Sequence, residues 1–167
     1  AFVVGLGDWR DTTEPRGVFM FAGPTGVGKT ATAQRLARIL GGDREQLIEI
    51  DCNTIQGTGH DSGPAMNRLL GPPPGYVGYS RGQGGLLTRI RDMPESIVLF
   101  DEIEKAHPGV AALLLQIIDT GRTQDTEGNT LDFRRAYLVF TTNAGTIYDS
   151  HTVGFSHVED NAAHVPV

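Results

Sequence analysis

A glycine-rich run near the start of the chain offers the clearest chemistry in this sequence. It reads Gly23-Pro24-Thr25-Gly26-Val27-Gly28-Lys29-Thr30 and fits the pattern G-x-x-x-x-G-K-[ST] in full. Glycines allow successive backbone N–H groups to turn toward phosphate oxygens, and the helix that follows presents its positive end to the same anions. In this pattern Lys29 reaches the outer phosphates, and the Thr30 hydroxyl is a ligand of Mg²⁺. The alternative is a strand-to-helix turn without a ligand, but the flanking strand and helix favour a site for ATP with Mg²⁺.

Two acidic residues follow an apolar run of strand length in the middle of the chain. The run is Ile97-Val98-Leu99-Phe100, and Asp101 and Glu102 come directly after it. In α/β folds ligands bind at the carboxyl ends of the strands, which is where these side chains would lie. We expect Asp101 to hold Mg²⁺ through water and Glu102 to activate the attacking water as a general base. The alternative is a charged strand end that merely caps the next helix.

A third polar group, Thr141-Thr142-Asn143, ends another apolar run. The amide of Asn143 could orient a water molecule against the terminal phosphate. Because Asn is common at turns and strand ends, this interpretation depends on one expectation. The strand before Asn143 has to share its sheet edge with the two motifs above.

A short aromatic motif, Gly75-Tyr76-Val77-Gly78, follows three consecutive prolines. Pro and Gly in such a run exclude a helix or an inner strand, so the motif lies on a loop. An aromatic side chain between glycines is either packed into a turn or exposed as a mobile contact for another molecule. Taken from the residues alone, packing is the favoured interpretation.

The elements that must position these residues follow from the hydrophobic pattern. Continuous apolar runs of strand length are typical of parallel strands that are covered on both faces. The runs are 18–22, 47–50, 97–100 and 137–141. Helical segments are predicted over 31–40, 65–70, 86–91 and 108–119, a polar hairpin over 121–133, and irregular chain over 1–16 and 54–64. Strands that alternate with helices predict an α/β fold with a mainly parallel sheet.

Composition narrows the class of protein further. The 167 residues suit one domain, and the formal net charge is −6 without any cluster of Lys and Arg. Neither a nucleic-acid surface nor a membrane surface is therefore expected, and no apolar run is long enough to span a bilayer. The single cysteine, Cys52, excludes an internal disulfide and fits a reducing, cytoplasmic setting. The scattered histidines lack metal-site spacing, so no metal is expected beyond Mg²⁺.

Three longer segments resemble the Clp family of AAA+ ATPases. Residues 71–79 are similar to the substrate-pore loop of that family, 98–108 to its extended Asp-Glu segment, and 114–134 to the stretch that follows. The resemblance runs over about 17–155 and is greatest to the second ATPase ring of members with two rings. It implies a P-loop NTPase three-layer sandwich with a central, mainly parallel five-stranded sheet.

The resemblance also implies an activity. Clp ATPases are homo-hexameric unfoldases, in which ATP hydrolysis moves pore loops that pull an unfolded polypeptide through the ring. By this resemblance Tyr76 is the residue that grips substrate, 125–129 is a second pore loop, and Asn143 senses the terminal phosphate. A disaggregase, a secretion-type remodelling ATPase and a nucleotide-gated scaffold module remain the alternatives.

A tripeptide after Asn143 is a candidate docking point for a partner protein. Val153-Gly154-Phe155 is apolar between polar neighbours, and exposed apolar residues on a polar loop often mark a docking point. Clp ATPases that feed the ClpP peptidase carry a similar tripeptide in this region. The resemblance therefore favours docking of a ClpP-type peptidase over a loop that packs on the domain's own core.

The resemblance covers only part of a Clp ATPase. We expect 1–167 to be the large, nucleotide-binding subdomain, incomplete at both ends and without the small lid subdomain. The adenine-contacting segment would precede residue 1, and the arginine finger and sensor-2 Arg would follow residue 167. The stretch 54–64 is longer and richer in Gly than expected for the family, and His107 is expected to pack against or cap the helix that follows it.

Overall fold

The computed structural model describes residues 2–3, 13–41, 46–57, 59–76, 79–80, 82 and 84–143. Its strands are β1 (Phe2–Val3), β2 (Gly17–Ala22), β3 (Leu47–Asp51), β4 (Ile97–Asp101), β5 (Arg122–Gln124), β6 (Thr130–Asp132) and β7 (Tyr137–Thr142). Its α-helices are α1 (Lys29–Gly41), α2 (Gly63–Leu70) and α3 (Pro108–Thr120). Short 3₁₀ helices cover Cys52–Ile55, Leu86–Arg91 and Ile103–Lys105.

Five strands form the central sheet in the order β1-β2-β7-β4-β3. The three pairings that join β2, β7, β4 and β3 are parallel, and in this sheet only β1 runs antiparallel to its neighbour. The predicted mainly parallel five-stranded sheet is therefore confirmed. The prediction of irregular chain over 1–16 was wrong at Phe2–Val3, because a strand of two residues is too short to show any hydrophobic period.

Helices cover both faces of this sheet, which explains why its strands read as continuous apolar runs. On one face α1 places Ala33 and Ala37 against Phe21, Leu99 and Val139. On the other face α2, α3 and the 3₁₀ helices enclose a larger core. That core includes Ile48, Ile50, Leu69, Leu87, Val98, Phe100, Ile117, Leu138 and Phe140. The three-layer arrangement agrees with the predicted fold class.

Helix ends differ slightly from the hydrophobic pattern. Helix α1 begins at Lys29 and not at residue 31, because the glycine-rich run passes directly into its first turn. The predicted loop 54–64 is wrong at both ends. Its first residues belong to a 3₁₀ turn that the Asp51 side chain caps by accepting from the N–H of Asn53, and its last residues begin α2. The polar hairpin is present as β5 and β6, which pair with each other outside the main sheet.

Candidate nucleotide site

The carboxyl ends of β2, β4 and β7 meet the start of α1 at one edge of the sheet. A cavity of about 310 Å³ lies there. Its lining residues come from the glycine-rich run, from the end of β4 and from the end of β7. They are Thr25, Gly26, Gly28, Lys29, Thr30, Ala31, Asp101, Glu102, Thr141 and Asn143. The structure thus brings together the three motifs that the sequence singled out.

The glycine-rich run forms a tight loop over this cavity. Gly26 and Gly28 have φ of 85° and 88°, in the left-handed region that L side chains rarely adopt. A Cβ at either position would meet nothing within 4 Å, so backbone conformation and not space explains the need for glycine. The loop is joined to β7 because the N–H of Gly23 donates to the Thr142 carbonyl at 3.2 Å.

Lys29 lies at the first position of α1 with its ammonium turned into the loop. Its Nζ donates to the carbonyl oxygens of Gly23 at 2.8 Å and Pro24 at 2.9 Å, and to Asn143 Oδ1 at 2.7 Å. An ammonium has three N–H donors, and these three acceptors use all of them. A phosphate that enters the cavity would therefore compete for Lys29 with groups on two different elements.

Thr30 and Asp101 form the oxygen-rich part of the site. The Thr30 hydroxyl donates to Asp101 Oδ1 at 2.8 Å, across 71 residues of sequence. A hydroxyl and a carboxylate oxygen at this separation are hard ligands of the type that Mg²⁺ prefers. The two residues fit a Mg²⁺ site, in which their oxygens would hold the ion.

Glu102 leaves β4 in a strained conformation. Its φ of 57° and ψ of 55° are left-handed, and it is the one non-glycine residue with positive φ among those described. Such a conformation costs on the order of 1–3 kcal/mol and persists only when neighbouring contacts hold it. It turns the Glu102 side chain out of the strand and into the cavity.

Two amides hold the Glu102 carboxylate. Asn53 Nδ2 donates to Glu102 Oε2 at 2.8 Å, and Asn143 Nδ2 donates to Glu102 Oε1 at 3.2 Å. The amides come from opposite sides, one after β3 and the other after β7. The carboxylate is thereby fixed in position beside the phosphate loop, which is the geometry that a general base for water requires.

Asn143 is itself positioned by Glu104. The backbone N–H of Asn143 donates to Glu104 Oε1 at 3.2 Å. Burial opposes ionisation of Glu104, but hydrogen bonds from the backbone of Glu104, from Thr142 and from the backbone of Asn143 outweigh it and lower the pKa of this carboxyl. The charged Glu104 therefore anchors the backbone that carries the Asn143 amide.

Sequence reasoning missed Asn53 and Glu104 as parts of this site, and it gave Thr141 no role although Thr141 belongs to the third motif. Asn53 lies two residues beyond β3, whose last residue Asp51 pairs in register with Asp101. The rule that carboxyl ends of parallel strands meet at one edge could have indicated that the chain after β3 lies near this site, but not that the turn brings Asn53 to Glu102. Glu104 gave no such signal, because its contact depends on the turn at Glu102.

The loop that carries Tyr76 is fixed at its base and exposed at its tip. A Cβ on Gly85 would lie 2.3 Å from the Leu69 carbonyl carbon and 2.5 Å from the Gly71 nitrogen, so the two ends of the loop touch. Tyr76 is 57% exposed, so the packing interpretation of this aromatic was wrong. A residue with more than half of its surface exposed does not have its ring packed into a turn. Val77 and Gly78 lie outside the described residues.

The hairpin turn between β5 and β6 contacts this loop. Glu127 Oε1 accepts from the N–H of Gly82 at 2.9 Å and from the Tyr79 hydroxyl at 2.7 Å, and these hydrogen bonds lower the pKa of the Glu127 carboxyl. Thr126 Oγ1 donates to the Pro72 carbonyl at 3.0 Å. The two segments that resemble pore loops are therefore in direct contact.

Other expectations have mixed outcomes. His107 caps α3, as expected, because its Nδ1 accepts from the N–H of Gly109 at 3.0 Å, while its Nε2 lies 3.1 Å from the Gly59 carbonyl oxygen. Within the described part of the chain, no cluster of three or more His, Cys, Asp or Glu suits a metal ion. None of the described helices has both the length and the apolar character needed to cross a bilayer. Val153, Gly154 and Phe155 lie outside the described residues.

Comparison with known proteins gives two results. Residues 14–165 match the AAA domain family (Cdc48 subfamily). The chain is also 43% identical over 153 residues to the ATP-dependent Clp protease ATP-binding subunit ClpC from Staphylococcus aureus, strains USA300 and MRSA252. The aligned region is 90% of this chain and 18% of those proteins. The chain thus spans less than a fifth of the length of the curated relatives that it matches.

Proposed function

Because this chain belongs to the AAA domain family (Cdc48 subfamily) and is an ATPase domain of the Clp type, we propose that it binds ATP with Mg²⁺ and hydrolyses its terminal phosphate. The observation that carries this proposal is the convergence of Lys29, Thr30, Asp101, Glu102 and Asn143 on one cavity. These residues lie on three different segments of the chain, namely the glycine-rich run with the start of α1, the end of β4 and the end of β7. A structural cap or an empty turn would require no such convergence.

The reaction assigns one task to each group. Lys29 exchanges its present acceptors for oxygens of the outer phosphates, and the loop amides surround the remaining oxygens. Glu102 takes a proton from the attacking water while the oxygen of that water bonds to the γ-phosphorus. The bond between the γ-phosphorus and the bridging oxygen breaks at the same time, and the products are ADP and phosphate. Asn143 orients this water. When bound by Thr30 and Asp101, Mg²⁺ neutralises charge on the phosphates.

We extend the proposal to the assembled protein. The parent protein is a homo-hexameric, cytoplasmic unfoldase that threads unfolded polypeptides through a pore, with Tyr76 as the side chain that grips them. Support comes from the exposure of Tyr76. The loop that carries it is closed at its two ends, where Gly85 lies against Leu69, and it is also joined to Glu127 through Tyr79. The relatives are named as ATP-binding subunits of a Clp protease, which supports a ClpP-type peptidase as partner.

Within this proposal, residues 1–167 are the large nucleotide-binding subdomain of one subunit. Glu102 argues against a nucleotide-gated scaffold, because a switch without turnover has no use for a general base beside the phosphate loop. A remodelling ATPase without a peptidase has the same site, so the partner has to be tested directly.

The test measures ATP hydrolysis by the full-length parent protein, with and without an unfolded model polypeptide and a ClpP-type peptidase. Lys29→Ala should abolish ATP binding, and Glu102→Gln should keep binding but lower kcat by at least about 10²-fold, the scale of a lost general base. Lys105→Ala is the matched control, because Lys105 is the other lysine of this chain and is exposed.

The outcomes separate the parts of the proposal. Hydrolysis that the polypeptide stimulates, with degradation when peptidase is present, supports the whole proposal. Stimulated hydrolysis without degradation keeps the remodelling ATPase and removes the peptidase. Equal activity of the Glu102→Gln and parent proteins would overturn the assignment of the site.

A further inference from the structure

The backbone hydrogen bonding between β4 and β7 ends where the candidate site begins. The β3–β4 ladder continues to the pair Asp51 and Asp101, and the β2–β7 ladder continues to Ala22 and Thr142. Between them, the β4–β7 ladder ends at Phe100 and Phe140, which is one residue earlier on β4 and two residues earlier on β7. The central pair of strands therefore separates while both neighbouring pairs are still joined.

The Thr141 side chain bridges the strands where that ladder ends. Its hydroxyl donates to Asp101 Oδ1, and it accepts from the backbone N–H of Glu102 at 2.9 Å. One hydroxyl has a single donor and can accept at the same time, so one side chain serves both residues. Thr141 itself is fully buried, with an exposed fraction of 0%.

The two groups that Thr141 contacts are the ones whose placement the reaction needs. Asp101 Oδ1 also accepts from the Thr30 hydroxyl, so Thr141 sets the direction in which this carboxylate faces the metal position. The N–H of Glu102 belongs to the left-handed residue that leaves the strand. Without the hydroxyl, that N–H would lose its acceptor at a place where the ladder offers no carbonyl.

We propose that Thr141 is a positioning residue, which couples the metal-binding carboxylate of Asp101 to the strained backbone of Glu102 through its hydroxyl. This inference rests on the proposed ATPase function and deepens it. Thr141 is not itself a reacting group. It acts through the orientation of Asp101 and through the turn that directs Glu102 into the cavity.

The experiment replaces the hydroxyl in the full-length parent protein. Thr141→Val keeps the shape and removes the hydrogen bonds, whereas Thr141→Ser keeps the hydroxyl and removes the methyl group. Thr123→Val is the matched control, because Thr123 is also a buried threonine on a strand, in the separate β5–β6 hairpin. The readouts are kcat and KM for ATP, the affinity for a fluorescent ATP analogue in EDTA, and the affinity of Mn²⁺ for the protein–ADP complex by electron paramagnetic resonance.

Thr141→Val should lower kcat on the order of 10²-fold, the effect of misplacing a catalytic group by about 1 Å. It should weaken Mn²⁺ binding about tenfold, as loss of a group that orients a metal ligand does. Affinity for the ATP analogue in EDTA should stay unchanged. Thr141→Ser and Thr123→Val should behave like the parent protein in every readout.

Two results would overturn the inference. One is that Thr141→Val has the same Mn²⁺ affinity and kcat as the parent protein. The other is that Thr141→Ser loses as much Mn²⁺ affinity and kcat as Thr141→Val does. If Thr141→Val does not fold, Thr141→Cys is compared with Thr141→Ser, because a thiol has a similar shape but is a much weaker hydrogen-bonding group. Equal behaviour of these two variants would also overturn it. A parent protein without ATPase activity would instead reject the proposed function.

Discussion

At the residue scale, the carboxylate of Glu102 is held by two amides of different origin. Asn143 was predicted from the sequence, since it ends a strand that had to lie beside the phosphate loop. Asn53 was not predicted, because its neighbours in sequence form a turn whose direction depends on the Asp51 cap. Sequence patterns identify groups at strand ends, but they do not give the path of the chain after the strand.

We predict that Asn53→Ala lowers kcat for ATP hydrolysis by about tenfold, the cost of losing one hydrogen bond to a charged group. The Asn53 amide fixes Glu102 Oε2, and without it the carboxylate adopts more rotamers. KM for ATP should not change, since Asn53 is not among the residues that line the cavity. Steady-state kinetics of the full-length protein measure both constants. Asn67→Ala, on α2, is the control, and an unchanged or raised kcat in Asn53→Ala would contradict the prediction.

Cys52 is a buried thiol whose surroundings oppose its ionisation. Burial, with smaller contributions from the charges of Asp51, Asp101, Glu104 and Glu102, raises the pKa of the Cys52 thiol from 9.0 to about 12. Below pH 9 the thiol is protonated in both folded and unfolded chains. Between pH 9 and 12 only the unfolded chain releases the proton, so the free energy of unfolding should fall by up to about 1.4 kcal/mol per pH unit.

We therefore expect iodoacetamide to leave Cys52 unmodified in the native protein at pH 8 and to modify it after unfolding in urea. Peptide mass spectrometry follows this one thiol in the full-length protein. The loss of stability between pH 9 and 10 should be smaller in Cys52→Ala than in the parent protein. Rapid alkylation of the native thiol would show that burial does not protect it.

At the element scale, the hydrophobic pattern gave the parallel strands correctly, because β4 and β7 are buried on both faces and contain little else than apolar residues. It could not give the contact between the Tyr76 loop and the β5–β6 hairpin. That contact consists of a few hydrogen bonds, which Thr126 donates and the Glu127 carboxylate accepts. Isolated polar residues on two loops carry no periodic signal.

The closed base of the Tyr76 loop leads to a prediction for Gly85→Ala. A Cβ there would lie 2.3 Å from the Leu69 carbonyl, which is backbone and cannot rotate away. Local stability should fall by about 1–3 kcal/mol, the usual cost of overpacking. Hydrogen exchange in the segment 66–90 of the full-length protein should then accelerate roughly 10- to 100-fold.

Gly63→Ala is the control for this experiment. The three atoms nearest to a Cβ on Gly63 would all belong to Asp61, with Oδ1 at 2.9 Å. This exposed side chain can turn aside, at the cost of the hydrogen bond that it accepts from the Gly63 N–H. Exchange in the same segment should remain at the parent rate or become slower, since alanine favours helix α2 more than glycine does. Equal exchange rates in Gly85→Ala and the parent protein would mean that the two ends of the loop are not held together.

At the scale of the whole molecule, the structure of this one domain indicates how ATP would be hydrolysed, but it does not identify a partner protein. The site is built from strand ends of a single sheet, so its main residues could be predicted from one chain. The proposed docking of a peptidase would involve Val153-Gly154-Phe155, and this prediction comes from the sequence alone. It therefore has to be tested in the assembled protein, where hydrolysis and degradation can be measured separately.

We predict that Gly154→Asp and Phe155→Ala in the full-length protein abolish degradation of an unfolded polypeptide by an added ClpP-type peptidase and leave ATP hydrolysis unchanged. A charge or a lost aromatic ring on a small apolar contact removes much of its binding energy, because few residues carry most of the affinity of such contacts. Ser156→Ala, beside the tripeptide, is the control and should degrade the polypeptide at the parent rate. Degradation that persists in both variants would assign the tripeptide to the domain's own packing. A parallel loss of ATP hydrolysis would mean that the substitutions disturb the nucleotide site and not the contact with a peptidase.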